Sequence, residues 1–237
     1  MTNGPQDPDA LSYRRASGEW AADVAAFVLA GGQSSRMGHD KALLPFAGGT
    51  LIAHALSILR EAGLPAMIAG ASSPVLAEFA PVVADAAPGH GPLAGICAAL
   101  ASTAASRAIF LPVDLPLLPP SLLVFLLQRA CITGQAVTVA TLNGFAQTFP
   151  AVIQRPVLPI LKAELDAGRN GCFSAFRATA VSLGQPLGVV PVEILAQSGH
   201  VAHQLALPPF RWFLNVNTPA DFAQAGAIAT RGIAYPV

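Results

Sequence analysis

The stretch Val28-Leu29-Ala30-Gly31-Gly32-Gln33-Ser34-Ser35-Arg36-Met37-Gly38-His39-Asp40-Lys41 packs glycines, small hydroxyls and two cations into one loop. Paired glycines carry no Cβ, so the backbone can pass close to a ligand and take positive φ. Successive free N–H groups then make a concave anion site, and Arg36 and Lys41 add positive charge. That chemistry suits a nucleoside triphosphate. Spacing excludes two familiar phosphate motifs. A P-loop needs Gly-Lys in sequence, but His39 and Asp40 separate Gly38 from Lys41. A dinucleotide fingerprint separates its first two glycines, whereas Gly31 and Gly32 are adjacent.

Two carboxylates complement this loop. Asp114 follows the apolar run Phe110-Leu111-Pro112-Val113. A carboxylate there must be hydrated, paired or metal-bound, because burying an unpaired charge is costly. Magnesium favours one or two carboxylates plus phosphate oxygens and water. The competing reading of Asp114 is an N-cap for the turn at Leu115-Pro116. Asp85 fits a hydrogen-bond acceptor for ribose or base, or else a simple turn residue before Ala86-Ala87-Pro88-Gly89.

The surrounding pattern says how these residues are positioned. The apolar run Val24–Leu29 predicts a buried strand ahead of the glycine loop. Further strands are predicted at Ala66–Ala69, Pro81–Ala84 and Ala108–Val113. Helices alternate with them over Leu51–Arg60, with Thr50 just before it, over Leu93–Ala101, and from Pro119-Pro120 onward. Strand–helix alternation with short connections implies an α/β domain built on a mostly parallel, doubly wound sheet. Ligands of such sheets sit beyond the carboxyl ends of the strands. The glycine loop, Asp85 and Asp114 all fall on that edge.

The second half is less regular. Ala136–Leu142 and Phe149–Ile153 read as strands, the latter at an edge or irregular position because of Pro150. Pro156–Ala167 reads as a helix, Cys172–Ala178 as a short one and Gly188–Val192 as extended. Phe210–Asn217 reads as a final strand. Thr218-Pro219-Ala220-Asp221 then starts a helix running to about Ala229, with Thr as N-cap and Pro at N1. Met1–Ala22 reads as a disordered lead and residues 23–237 as one domain.

Composition narrows the partners. Thirteen basic and 13 acidic residues balance to a formal charge of +0, so no global field favours nucleic acid or an acidic membrane. The chain is 53% hydrophobic and 11% charged, which suits a well-buried fold. Cys97, Cys131 and Cys172 form no Cys-x-x-Cys pair, which favours reduced thiols in a cytoplasmic protein. The charged N-terminus is not a secretory signal. The apolar region Leu111–Cys131 is broken by Asp114 and prolines and does not predict a membrane span. His200-x-x-His203 lacks a spaced carboxylate and is not read as a metal pair.

Several strings together resemble a known family. They are Leu-Ala-Gly-Gly at 29–32, Ser-x-Arg-Met-Gly at 34–38, Asp40-Lys41, Gly-Pro-Leu-Ala-Gly at 91–95, Val-Asp-Leu-Pro at 113–116 and Asn-Val-Asn-Thr-Pro at 215–219. They resemble the nucleotidyltransferases that build dinucleotide molybdenum cofactors, and most nearly the molybdenum cofactor guanylyltransferases (MobA-like). The resemblance runs from about Ala26 to Ala229. It departs at Ile68-Ala69-Gly70-Ala71, where family members often carry Asn, and over 181–209, which is longer than typical.

The resemblance implies a Rossmann-like three-layer domain of nucleotidyltransferase type. It implies transfer of GMP from GTP to molybdopterin with release of pyrophosphate. The nucleotide would be held by Leu29, Ala30, Gly31, Gly32, Lys41, Asp85, Gly91, Pro92, Leu93 and Asp114. Lys41, Arg36 and Asp114 would be catalytic, Asp114 holding Mg²⁺. Gln147, Asn215 and Asn217 would meet the second substrate. Transient contact with a molybdenum insertase or with a chaperone of the acceptor oxidoreductase is also implied. Rival readings are a molybdopterin cytidylyltransferase using CTP, an enzyme with another phosphorylated acceptor, and a non-catalytic nucleotide-binding partner. Cytidylyl enzymes tend to have Leu-Ala-Ala-Gly, and a second glycine leaves more room for a purine. Lys41, Asp85 and Asp114 argue against a non-catalytic role.

Overall fold

The computed structural model describes residues 23–31, 40–70, 73–85 and 90–231. The expected lead, Gly32, Arg36 and the rest of the glycine loop up to His39 lie outside the described residues.

Among the described residues, one sheet has seven strands. These are β1 (Val24–Leu29), β4 (Ala66–Ala69), β5 (Val82–Val83), β6 (Arg107–Pro112), β7 (Val137–Leu142), β8 (Phe145–Gln154) and β9 (Gly188–Pro191). A separate hairpin pairs β2 (Pro45–Phe46) with β3 (Gly49–Thr50). The sheet order is β5-β4-β1-β6-β8-β7-β9. β8 runs antiparallel to both neighbours, and the other pairings are parallel. The chain moves outward from β1 to β4 and β5, then returns to β6 on the other side of β1. That reversal is where open α/β sheets bind ligands.

Alternation along the strands builds a core on each face. Ala26 and Val28 of β1, with Ile109 and Leu111 of β6, face one side. Helices α1 (Leu51–Glu61), α3 (Pro120–Thr133), α6 (Val192–Gln197) and α8 (Pro219–Arg231) pack there. Phe27 and Phe110 face the other side, under α2 (Pro92–Ser102), α4 (Leu158–Asp166) and α5 (Cys172–Leu183). Their rings stack at 5.4 Å with 16° between planes. Such a pair contributes about 1 kcal/mol beyond its burial. The three-layer expectation holds. Among the described residues no helix is long and apolar enough to cross a membrane.

One expectation is corrected and another is narrowed. Phe210–Asn217 is not a strand: α7 (Pro209–Trp212) is one helical turn, followed by irregular chain. Trp212, Phe213 and Val216 are buried while Phe210 is 59% exposed, so the period is helical rather than alternating. Trp212 Nε1 donates to the Leu207 carbonyl at 2.8 Å and anchors the turn. Of the two positions that Pro150 allowed, the irregular one holds: β8 lies between β6 and β7 rather than at an edge. Pro150 is accommodated because the ladder is irregular there: the β7 register shifts between Val139 and Thr141, and the β6 pairing stops at Ala151. The Phe149–Pro150 peptide is cis. The helix begun at Cys172 also continues to Leu183, past the expected Ala178.

Candidate active site at the carboxyl rim of the sheet

Backbone hydrogen bonds stitch the strand ends into one rim. Ala30 N donates to Ala69 O at 3.0 Å, and Val113 N donates to Leu29 O at 3.0 Å. Val216 N then donates to Asp114 O at 3.0 Å. The ends of β4, β1 and β6 and the segment before α8 are thereby held side by side.

Lys41 opens a short 3₁₀ turn, Lys41–Leu43, whose N-cap is Asp40. Asp40 Oδ1 accepts from Ala42 N at 3.1 Å. The hairpin that follows is clamped between helices: the Phe46 ring meets His54 of α1 at 4.9 Å and Phe222 of α8 at 6.3 Å, centroid to centroid. From this base Lys41 Nζ donates to Asp114 Oδ2 at 3.2 Å and to Asn217 Oδ1 at 2.7 Å. The Lys41 and Asp114 side chains are 16% and 25% exposed, so solvent still reaches the pair. An ammonium and a carboxylate at this spacing attract by about 5 kcal/mol gross at an effective dielectric near 20. Desolvation and screening offset much of that.

Asp221, expected only to start a helix, also orders this cluster. Its Oδ2 accepts from Asn217 N at 3.0 Å and from Thr218 N at 2.8 Å, while Thr218 Oγ1 accepts from Asp221 N at 3.2 Å. This is the reciprocal pattern of a capping box, with Asp in place of Glu. The Thr218 hydroxyl, then the Asn217 and Thr218 N–H groups, hold the Asp221 carboxyl below its ordinary value, and Lys41 adds attraction. The Thr-x-x-Asp spacing was the signal for it.

Gly70 is the second unexpected contributor. It has φ +69° and sits where β1, β4 and α2 converge. A Cβ on Gly31 would lie 2.3 Å from the Gly70 carbonyl oxygen, and one on Gly95 would lie 3.3 Å from Gly70 Cα. Three backbones meet here without side chains between them. The absence of Cβ at position 31 is thus already demanded by the Gly70 backbone, whatever base is bound.

The remaining expected residues divide. Leu29, Ala30 and Gly31 lie at the end of β1, and Asp85 follows β5 on the same edge. Gly91 caps α2, which begins Pro92-Leu93, with Leu93 fully buried. β8 is antiparallel to β6 with Phe110 opposite Ala151, so its earlier residues, Gln147 among them, extend beyond the carboxyl end of β6. Gln147 Nε2 donates to Phe145 O at 3.1 Å. Asn215 is exposed, two residues before Asn217. Lys41 is brought into direct contact with both Asp114 and Asn217; Asp85, Gln147 and Asn215 lie on the same rim. His200 and His203 diverge, His200 to Ser198 and His203 to Leu117 O, so they form no pair.

A mostly parallel sheet with a lysine and an aspartate joined at its carboxyl rim defines an α/β protein whose cluster lies where open sheets of this kind bind ligands. The family model for the MobA-like NTP transferase domain matches residues 26–215, and the chain belongs to that family. A molybdenum cofactor guanylyltransferase from Rhizobium meliloti is 33% identical over 210 residues, covering 85% of this chain and 90% of the relative. One from Sinorhizobium fredii is 30% identical over 208 residues, covering 84% and 89%. In fold, the molybdopterin-guanine dinucleotide biosynthesis protein A of Archaeoglobus fulgidus is similar with a TM-score of 0.69 at 20% identity, over 87% of this chain and 99% of that one.

Proposed function

We infer that this chain is a molybdenum cofactor guanylyltransferase, joining GMP from GTP to the phosphate of molybdopterin. The observation that carries this reading is the Lys41–Asp114–Asn217 cluster at the sheet rim, in a chain so similar to guanylyltransferases along most of its length. A phosphate oxygen of the pterin attacks the α-phosphorus of GTP. The new P–O bond forms as the bond from the α-phosphorus to its bridging oxygen breaks, and pyrophosphate leaves with that electron pair. The nucleophile is already anionic, so no side chain need remove a proton. Positioning and charge neutralisation supply the rate.

Lys41 serves as a point charge for the α- or β-phosphate, and Arg36 extends the positive field to the outer phosphates. Asp114 is the rim carboxylate in contact with Lys41, and no group of three or more His, Cys, Asp or Glu gathers among the described residues. This donor set suits Mg²⁺ held jointly by Asp114, triphosphate oxygens and water rather than by an all-protein cage. Bound there, Mg²⁺ supplies charge neutralisation on the triphosphate. Asp85 serves the ribose or base, and Gln147 and Asn215 face the pterin. A cytoplasmic location and transient contact with an insertase or an acceptor's chaperone belong to the same reading.

A melting-temperature screen of GTP, CTP, UTP and ATP with Mg²⁺ tests the base: GTP should stabilise most. A larger shift with CTP would instead favour the cytidylyl reading. Asp114→Ala should lower pyrophosphate release at least about 100-fold, as expected for losing a transition-state charge contact. GTP binding measured without divalent metal should change far less. Undiminished turnover in that variant removes Asp114 from the chemistry.

A further inference from the structure

We propose that Lys41 acts as an exchangeable cation on the Asp114 carboxylate, so that a divalent metal binds well only when a nucleotide draws the ammonium away. The proposal rests on the nucleotidyl-transfer reading and adds to it a coupling between two ligands.

Two oxygens from remote segments converge on one ammonium: Asp114 Oδ2 at 3.2 Å and Asn217 Oδ1 at 2.7 Å. Neither is placed by chance of a mobile side chain alone. Val216 N bonds to Asp114 O, so the two segments are tied by backbone. Asp221 holds the Asn217 N–H from the other side. Lys41 is tethered at its base by the Asp40-capped turn, yet its ammonium sits on a flexible four-carbon stem. The backbones that carry the two oxygens are therefore held by the scaffold, each oxygen lies on a short side chain, and the cation rides on the longest and most flexible of the three.

Competition follows from the donor count. A divalent ion arriving alone must share the Asp114 carboxylate with an ammonium already bonded to its Oδ2. It finds no second carboxylate cluster among the described residues to offset that loss. A triphosphate changes both terms. Its oxygens compete for Lys41, and they add the hard ligands that Mg²⁺ and Mn²⁺ favour. Each ligand then tightens the other by the same factor, as linkage requires.

The test is Mn²⁺ binding to the whole protein, read by electron paramagnetic resonance of free Mn²⁺ without any nucleotide. Lys41→Met should bind Mn²⁺ about ten-fold more tightly than wild type, within the usual 5–150-fold range of coupling. Lys41→Gln is the second variant should Met perturb folding, and melting curves check both. In the Lys41→Met, Asp114→Asn double variant the gain should vanish, showing that it acts through that carboxylate. A non-hydrolysable GTP analogue should tighten Mn²⁺ more than about ten-fold in wild type and by a smaller factor in Lys41→Met. Unchanged or weaker Mn²⁺ binding by nucleotide-free Lys41→Met and Lys41→Gln overturns the exchange. The nucleotide-free comparison is independent of the substrate: if GTP fails to couple but CTP succeeds, the guanylyl reading fails while the exchange stands.

Discussion

The Asp221 carboxylate orders Asn217 from outside the Lys41 contact, by accepting its N–H at 3.0 Å. It touches no reacting atom in this scheme, so it is a positioning residue. Asp221→Ala should leave far-UV circular dichroism unchanged and lower kcat/KM for GTP about ten-fold, the lower end seen when an orienting partner of a site is removed. Asp221→Asn retains an acceptor oxygen and should recover most of the loss. Equal losses in both variants would point to charge rather than orientation. At this scale the sequence was legible in placing Lys41 and Asp114 on one rim, where the two side chains do meet. It was silent on the hydrogen bond between Lys41 and Asn217, 176 residues apart, because that contact depends on how β6 and the α8 entry are brought together. Burial pushes the Cys97 and Cys172 thiols up to about 11 and about 12, and Cys97 adds to the rise at Cys172, so their thiolates are scarce at neutral pH.

Among the elements, β1, β4 and α2 meet through glycine backbones. Gly31→Ala places a methyl 2.3 Å from the Gly70 oxygen, a contact that forces one strand end to move. Gly95→Ala places one 3.3 Å from Gly70 Cα, which requires a shift of only a few tenths of an ångström. Overpacking of the first kind costs about 1–3 kcal/mol. Denaturant melts should therefore rank Gly31→Ala clearly below Gly95→Ala in stability; the reverse order would place the tight contact elsewhere. The first half of the fold could be read because each strand there is a short apolar run bounded by glycine, proline or a cap. Thr50, for example, caps α1 by accepting from Ala53 N at 3.4 Å, as its position suggested. One later element could not be read locally, and another could be read only as two alternatives. The aromatic string at 210–213 looks like a strand until Trp212 is seen anchored to Leu207 O. Pro150 marks an edge or an irregular position, and the irregular ladder is what lets it sit in the interior of the sheet.

Across the whole molecule, the loop that leaves Asp114 is braced from two distant places. His54 of α1 bonds through Nε2 to Pro116 O at 2.7 Å, and His203 bonds through Nε2 to Leu117 O at 3.0 Å. Both imidazoles line a cavity of about 240 Å³ under residues 116–120, with Glu61 and Gln204 at its border. His203 Nδ1 accepts from Leu205 N at 3.0 Å, so the network assigns the proton to Nε2. A second proton would face the Leu205 N–H. Burial lowers the His203 pKa from its ordinary 6.5, and the Leu117 carbonyl opposes that only partly. The unfolded chain then binds more protons than the folded one in this window, so stability rises with pH. The contribution is complete above about 6.5 and is lost as pH falls through the lowered folded value. His203→Gln keeps a donor for Leu117 O but does not titrate. The difference in Tm, wild type minus His203→Gln, should therefore shrink as pH falls from about 7 to about 5. Nucleotide-dependent Mn²⁺ binding should weaken over the same range in wild type more than in the variant, because the brace and Asp114 share one loop. A difference that grows on acidification would mean that His203 gains, rather than loses, partners when protonated, and would separate the brace from the site.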